Sequence, residues 1–212
     1  MWKIFLKVTK IFSIIVYIAY KMLLESILKF IFDSIGSPIS TKKISDTLTS
    51  KGLSTSNHTV ENYISAFAES FLIYKAEWFD IKDKNLLNRD YKYYVVDQGL
   101  RSYLLGKKAD SDMGHILENI VYLELLRRGY KVYVGKVGDL EVDFVAENRD
   151  GLKYYQVALT VRDEKVLERE LKSLQKTKDH YSKYLITYDI DLETDYDGIT
   201  KINIVDWLLN KE

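Results

Sequence analysis

The sequence of 212 residues contains no cysteine, one proline and ten glycines. Without cysteine the chain has no disulfide, no thiolate ligand for zinc or an iron–sulfur cluster and no cysteine nucleophile, which fits a cytoplasmic protein. So few prolines and glycines leave little room for a long flexible linker. Basic and acidic residues both number 31, so no overall positive field attracts nucleic acid. The remaining composition, 47% hydrophobic and 29% charged, is that of a globular protein.

The chain also lacks a hydrophobic run long enough to cross a bilayer. Residues 1–20 carry three lysines and then an apolar run from Ile11 to Tyr20, which Lys21 closes. A spanning helix needs about 20 apolar residues, so we expect no stable membrane span. The first interpretation of this segment is a soluble helix or the remnant of a lost upstream domain. A membrane-associated or export segment and an irregular tail are the alternatives.

Residues 21–110 predict a small domain of three helices followed by two strands. Apolar residues recur first at helical spacing, with breaks at glycine, proline and serine, and then in two strand-like segments. The helical patterns cover 21–35, 39–48 and 57–71, and the strand patterns cover 72–80 and 91–97. Three helices and a hairpin in this order indicate a winged helix.

A winged helix favours DNA binding through its third helix. Lys42, Lys43 and Lys51 would contact phosphates, and His58 and Asn62 on the third helix would face the bases, where asparagine can read adenine. The exposed positions of that helix carry no lysine or arginine, although phosphate contacts need cations. A purely structural or protein-contacting winged helix is therefore an open alternative.

Residues 111–212 predict an α/β sandwich around a mixed sheet. Two helical patterns, each with an apolar stripe, separate groups of short strands that are bounded by glycine-containing turns. The helices cover 113–130 and 161–181, and the strands cover 131–137, 141–147, 152–161, 183–189 and 201–206. The acidic residues between 189 and 197 are predicted to form a solvated loop, since they lack the glycine and glutamate spacing of a calcium loop.

Two carboxylates interrupt the apolar patterns of this half. Glu118 lies beside the apolar stripe of the first helix, and Asp143 separates Val142 from Phe144 in a strand. Regular alternation puts Asp143 on the same face as Glu141, with Val142 and Phe144 on the other. Two converging carboxylates would suit Mg²⁺. The alternative is that both are solvated or paired with nearby arginine or lysine.

The residues that carry a family resemblance are ENIVYLELLRRGY, EVDF and QVA within 113–161, together with the preceding stretch from Ile35 to Arg101. They resemble the C-terminal region of prokaryotic AAA-type ATPases, a winged helix followed by a nuclease-like domain of unassigned function. The resemblance implies a PD-(D/E)xK, restriction-endonuclease-like fold for the second half. It also implies that Glu118 is the helix carboxylate, Asp143 the strand aspartate and 156–158 the (D/E)xK tripeptide.

The sequence departs from an active enzyme of that kind in two ways. Gln156 replaces the acid and Ala158 the lysine of the tripeptide, which removes a cation that such cleavage requires. No P-loop pattern occurs, so ATP hydrolysis is not expected. These departures predict a non-catalytic or regulatory module, a pseudo-nuclease without a cofactor that contacts DNA, an ATPase or another protein. The alternative is a weak Mg²⁺-dependent DNA nuclease that uses Glu118, Asp143 and Gln156.

Overall fold

The computed structural model of the chain describes residues 18, 20–106, 112–191 and 194–209. Within these ranges no helix is both long enough and apolar enough to cross a membrane. Nearly all of the N-terminal apolar segment lies outside the described residues, so the expectations about residues 1–20 stay predictions.

The described residues form seven helices and eight strands. The helices are α1 (20–33), α2 (Thr41–Ser50), α3 (Asn57–Glu69), α4 (Gln98–Leu105), α5 (Met113–Arg127), α6 (Glu164–Lys176) and α7 (Ile204–Leu208). The strands are β1 (Ile73–Asp80), β2 (Asn85–Val95), β3 (Lys131–Val137), β4 (Leu140–Asn148), β5 (Gly151–Ala158), β6 (Ser182–Thr187), β7 (Thr194–Tyr196) and β8 (Ile199–Asn203). Serine or aspartate side chains cap α2, α3 and α6 at their N-termini.

All eight strands belong to one mixed sheet in the order β2-β1-β3-β4-β5-β6-β8-β7. The pairs β1/β3, β5/β6 and β6/β8 are parallel, and the other four pairs are antiparallel. Helix α5 packs on one face, where Leu117 and Val121 join the cluster around Phe144. Helix α6 covers the other face, where Leu171 and Leu174 join the cluster around Tyr154. The predicted mixed α/β class, helices on both faces of a mixed sheet, is confirmed.

The β1–β2 hairpin connects the front helices to this sheet. Helices α1, α2 and α3 enclose a separate core that includes Phe32, Ile44 and Phe67 and is completed by residues of the hairpin. At the same time β1 pairs in parallel with β3, where Trp78 lies opposite Val134. The order of three helices and a hairpin is the one expected for a winged helix, and that designation stays a prediction. Residues 21–110 and 111–212 share one sheet.

Asn119 joins α5 to β2 through its side chain. Its Oδ1 accepts a hydrogen bond from the Val95 N–H at 2.8 Å, and its Nδ2 donates to the Val95 carbonyl at 2.9 Å. The side chain is fully buried. It therefore completes both backbone hydrogen bonds of Val95 at the end of β2.

Replacing Asn119 with alanine should destabilise the protein. The buried N–H and C=O of Val95 would lose their partners, and each unsatisfied group costs on the order of 1–2 kcal/mol. We expect the free energy of unfolding in urea to fall by about 2–3 kcal/mol with little change in the m-value. The exposed Asn148→Ala is the control, and equal midpoints for the two variants would contradict the proposed anchoring role.

Candidate functional site

A β-bulge aims Asp143 toward the candidate site. Tyr133 lies opposite Val145 and Gly135 lies opposite Val142, so β4 has one residue more than β3 between these pairs. Val142 and Val145 consequently face the α6 side of the sheet, while Phe144 faces the α5 side. The prediction that Val142 and Phe144 share a face was therefore wrong, because it assumed regular alternation. Bulges often re-aim a side chain in this way beside functional sites.

Asp143 and Gln156 replace the regular ladder between β4 and β5 at this point. The paired residues run only to Phe144 and Tyr155. Beyond them the Val157 N–H donates to Asp143 Oδ2 at 2.8 Å, and the Asp143 N–H donates to Gln156 Oε1 at 3.3 Å. The side chains of Asp143 and Gln156 thus accept the hydrogen bonds of two backbone N–H groups where β4 and β5 separate. Both side chains are buried.

Glu118 reaches the same region from α5. Its Oε1 accepts hydrogen bonds from the Tyr94 hydroxyl at 2.6 Å and from Lys92 Nζ at 3.2 Å. The residue is only 8% exposed, as is Asp143. Its other oxygen, Oε2, lies against the backbone of Gly36, where a Cβ atom would be 2.9 Å away. Gly36 has a φ of +70°, so both the space and the backbone conformation at this turn favour glycine.

Lys92 is the positively charged residue among Glu118, Glu141 and Asp143, and these four residues are called the Lys92 cluster. It comes from β2, in the N-terminal half of the chain. The side chain is 3% exposed, and its ammonium contacts Glu118 and the partly exposed Glu141. Burial by itself lowers the pKa of Lys92, but the charges of Glu118, Glu141 and Asp143 outweigh burial and raise it above the ordinary value. The lysine is therefore charged at neutral pH.

The expectation that the acidic site lacks a positive charge was wrong. It rested on Ala158, the position where the family tripeptide has its lysine. Ala158 is instead buried in the core on the α6 side. Lys92, which is 26 residues from Glu118 in sequence, supplies an amine from β2. Lys92 could have been identified from the sequence, because it lies two residues before Tyr94 in a strand. Residues at that spacing share a face, and Tyr94 is buried.

The carboxyl group of Asp143 has a strongly altered acidity. Burial raises its pKa well above the ordinary value, and the nearby charge of Glu118 raises it further. The Lys92 ammonium and the hydrogen bond from Val157 oppose this shift without cancelling it. The buried carboxyl groups of Glu118 and Asp143 and the partly exposed Glu141 surround a single lysine, so a proton on Asp143 relieves part of the excess negative charge.

Gln156 links the cluster to α6. Its Nε2 donates to Glu170 Oε2 at 3.0 Å, and its Oε1 also accepts from Ser173 Oγ at 3.2 Å. Arg169 in turn donates two hydrogen bonds to Glu170 Oε1, at 2.6 and 3.0 Å. Glu170 was missed at the sequence level. Glu170 lies four residues from both Val166 and Leu174, so the sequence places a carboxylate on the buried stripe of an amphipathic helix. That pattern could have identified it as a candidate site residue.

The residues predicted to contact DNA lie elsewhere, on α2, directly after it and on α3. Lys42, Lys43 and Lys51 are exposed, as are His58 and Asn62. Asn62 Nδ2 lies 3.5 Å from His58 Nε2, one helical turn away. The structure therefore brings Glu118, Asp143 and Gln156 into one region. It leaves the five residues predicted to contact DNA on the surface, around α2 and α3.

The described residues contain no group of three or more histidine, cysteine, aspartate or glutamate side chains arranged to hold a metal ion. His115, which is three residues from Glu118, has its Nδ1 2.6 Å from Asp112 Oδ1. Glu118 and Asp143 are the predicted Mg²⁺ ligands, and their contacts are with Lys92, Tyr94 and the Val157 backbone.

Comparison with known proteins links the chain to longer relatives. Residues 16–111 match a domain of unknown function, DUF8612. An uncharacterised protein of Haemophilus influenzae is 43% identical over 187 residues, which cover 88% of this chain and 46% of that protein. The uncharacterised protein MJ1544 of Methanocaldococcus jannaschii is 31% identical over 177 residues, 79% of this chain and 37% of that protein. The chain thus spans less than half the length of these curated relatives. No solved structure matches it.

Proposed function

We propose that this chain is a non-catalytic interaction module whose nuclease-like site is closed by an internal ion cluster. The observation that carries the proposal is the Lys92 ammonium bound between Glu118 and Glu141 beside Asp143. A cation among converging carboxylates is what a divalent metal provides in a metal-dependent nuclease. Here a side chain of the protein occupies that role.

The hydrogen bonds of the carboxylates and the amide support this proposal. Glu118 Oε1 already accepts two hydrogen bonds, and Gln156 Oε1 also accepts two. Mg²⁺ requires near-ideal octahedral geometry with oxygen ligands at about 2.0–2.1 Å. An ion would have to displace the lysine and break several of these bonds.

Burial of the cluster is the second support. Lys92 is 3% exposed and Glu118 and Asp143 are each 8% exposed, so only Glu141 offers appreciable surface to solvent. Catalytic sites are normally open clefts that admit their substrate. Asp143 therefore offers little surface to a phosphodiester.

The resemblance to AAA-type ATPases supports the choice of partner class. The chain spans less than half the length of the two uncharacterised relatives described above. We propose that it acts on such an ATPase or on DNA. The exposed Lys42, Lys43 and Lys51 and the nearby His58 and Asn62 would make the DNA contacts.

A second candidate function is a weak Mg²⁺-dependent DNA nuclease. Lys92 favours it, because this amine could replace the one absent at Ala158 and stabilise charge in the transition state. In that case Glu118 and Asp143 would hold the metal and Lys92 would turn toward the substrate.

A cleavage assay separates the two functions. We expect the purified protein to leave single-stranded, double-stranded and branched DNA intact in Mg²⁺ or Mn²⁺, at the background rate of Asp143→Ala. A metal-dependent activity that Asp143→Ala and Lys92→Met both abolish, and that the surface variant Lys131→Met retains, would establish the nuclease instead. Loss of a true electrostatic catalyst typically costs about 10²–10³ in rate, so the comparison is easily resolved.

A further inference from the structure

The start of α1 carries a group of exposed apolar side chains. Ile18, Tyr20, Met22 and Leu24 are 49%, 60%, 51% and 38% exposed, and this group is called the α1 tip. Fourteen large hydrophobic residues are exposed in the described part of the chain, and four of them lie within these seven positions. None of the four belongs to the Lys92 cluster or to the residues predicted to contact DNA, so the inference does not depend on the proposed function.

The α1 tip is apolar around the helix and not along a single stripe. Successive helical residues are rotated by about 100°, so Ile18 and Met22 lie on one side while Tyr20 and Leu24 lie on nearly the opposite side. Between Ile18 and Leu24 the sequence has one charged residue, Lys21. A helix on the surface of a globular protein normally has one apolar stripe, whereas a helix that is apolar all round is buried or lies in a membrane.

The remainder of α1 is packed into the core of the helical part. Ile27, Ile31 and Phe32 have no exposed surface and belong to the cluster enclosed by α1, α2 and α3. Leu23 is partly buried against the same cluster. The α1 tip is therefore the continuation of a helix whose other end is held in a core, and it presents its apolar side chains away from that core.

The sequence around the α1 tip has an excess of positive charge. Residues 1–33 contain five lysines and two acidic residues, Glu25 and Asp33, which leaves a balance of +3 in a chain whose net charge is zero. Lys21 Nζ lies 3.9 Å from Glu25 Oε1, so that lysine is paired. Three of the lysines come before the tip, at Lys3, Lys7 and Lys10, in a segment without any acidic residue. The apolar tip is thus preceded by a basic and apolar segment.

We propose that the α1 tip, together with the basic segment before it, binds the surface of an anionic phospholipid bilayer. The apolar side chains of the tip enter the boundary of the acyl chains, and the lysines contact the anionic headgroups. The apolar run from Ile11 to Tyr20 is shorter than the roughly 20 residues of a spanning helix, so the chain is anchored to one leaflet. A second copy of the chain fits this end less well, because it would bring the lysines of both copies together.

The test measures flotation of the full chain with vesicles of phosphatidylcholine alone and of phosphatidylcholine with about 30% phosphatidylglycerol. The tip variant is Tyr20→Glu with Met22→Glu. The control is Tyr188→Glu with Ile190→Glu, which makes the same charge change at the same spacing on residues that are 56% and 87% exposed. All four positions are exposed, so both variants should keep the melting temperature of the wild type. We expect the wild type and the control to bind the anionic vesicles equally, and the tip variant to bind them at least tenfold more weakly.

The contribution of charge is measured separately. One variant combines Lys3→Gln, Lys7→Gln and Lys10→Gln and leaves the α1 tip intact. Each lysine near an anionic surface adds to binding, and salt screens that attraction. We therefore expect the triple variant, and the wild type in high salt, to lose at least tenfold in affinity for the anionic vesicles.

Tryptophan emission reports which end of the chain enters the lipid. The chain has three tryptophans, of which Trp78 and Trp207 are buried in the core. We expect anionic vesicles to shift the emission to the blue, and Trp2→Phe to remove that shift. No binding to either vesicle, equal binding by the tip variant and its control, or equal affinity for the two lipid compositions would overturn the proposal. A concentration-dependent dimer that the tip variant alone loses would also overturn it, and would assign the α1 tip to a contact between copies of the chain.

Discussion

Lys92→Met should lower the free energy of unfolding by about 3–5 kcal/mol at pH 7, because it leaves the buried carboxyl groups of Glu118 and Asp143 without their cation. For a chain of this length that corresponds to a fall in melting temperature of roughly 10 °C. Methionine keeps most of the length of the lysine side chain, so the loss reports the charge more than the packing. Lys131→Met, an exposed substitution at the start of β3, is the matched control and should change little.

The pH dependence of this loss has a definite sign. The pKa of Lys92 is raised in the folded protein, so its contribution is fully present at pH 7 and disappears only above the ordinary lysine pKa. The pKa of Asp143 is also raised, so the folded state gains relative stability as the pH falls and that group binds its proton. The difference between wild type and Lys92→Met should therefore shrink as the medium is acidified toward the raised pKa of Asp143. A loss that is independent of pH would contradict the counter-ion role.

The same variant tests whether the lysine replaces a metal. If Lys92 takes the position of a divalent cation, then Mg²⁺ or Mn²⁺ should raise the melting temperature of Lys92→Met and not that of the wild type. Binding a ligand to the folded state alone at 100 times its Kd adds about 2.7 kcal/mol. Equal stabilisation of both proteins by the metal would favour the nuclease, in which metal and lysine act together.

Gln156→Glu restores the acid of the family tripeptide, and we expect it to be destabilising. The amide of Gln156 donates to Glu170 Oε2 at 3.0 Å, so the new carboxylate would face an existing one at hydrogen-bond distance. Two carboxylates in one buried site cannot both ionise easily, and one pKa rises strongly. We expect a loss of about 3 kcal/mol at pH 7, and recovery as the shared proton binds at lower pH. Chemical denaturation between pH 4 and pH 8 measures this difference.

The control for this substitution is Gln175→Glu, an exposed change on the same helix α6 that creates the same charge away from the cluster. It should shift stability by less than about 0.5 kcal/mol. If Gln156→Glu is as stable as Gln175→Glu, then Arg169 compensates both carboxylates and the glutamine is not required. If it also gains metal-dependent cleavage, the site is a nuclease that lacks only its acid.

Regular segments of this chain were predictable from the sequence. Helix α6 follows a simple periodic pattern because it buries one stripe. Strand β4 is recognisable as an apolar run instead, since its residues from Val142 to Ala146 are all buried. The predicted second helix ran from 161 to 181, whereas α6 ends at Lys176. The polar residues after Lys176 do not themselves mark a stop, and Thr177 turns the chain away by its extended conformation.

The elements that were missed depend on pairing or on short length. Helix α4 has eight residues, and β7 has three residues within what was predicted to be a solvated acidic loop. In that region Asp189 is buried and accepts hydrogen bonds from Thr160 and Val161, so part of the acidic segment is structural. Such contacts join residues 28 or 29 positions apart and leave no local pattern.

The candidate site was only half predictable for the same reason. Glu118 and Asp143 stand out because charged residues in apolar patterns are rare and need partners. Lys92 and Glu170 complete the cluster from β2 and α6, and their arrival depends on the strand order and on the bulge near Asp143. No spacing rule connects four residues that come from four different elements.

The parallel pairing of β1 with β3 joins the two halves of the chain in one sheet. A polypeptide cut near residue 111, where the match to the domain of unknown function ends, would leave one edge of β1 without its partner strand β3. Unpaired strand edges pair with other chains and promote aggregation. The sheet to which β1 belongs therefore extends beyond the residues that match the domain of unknown function.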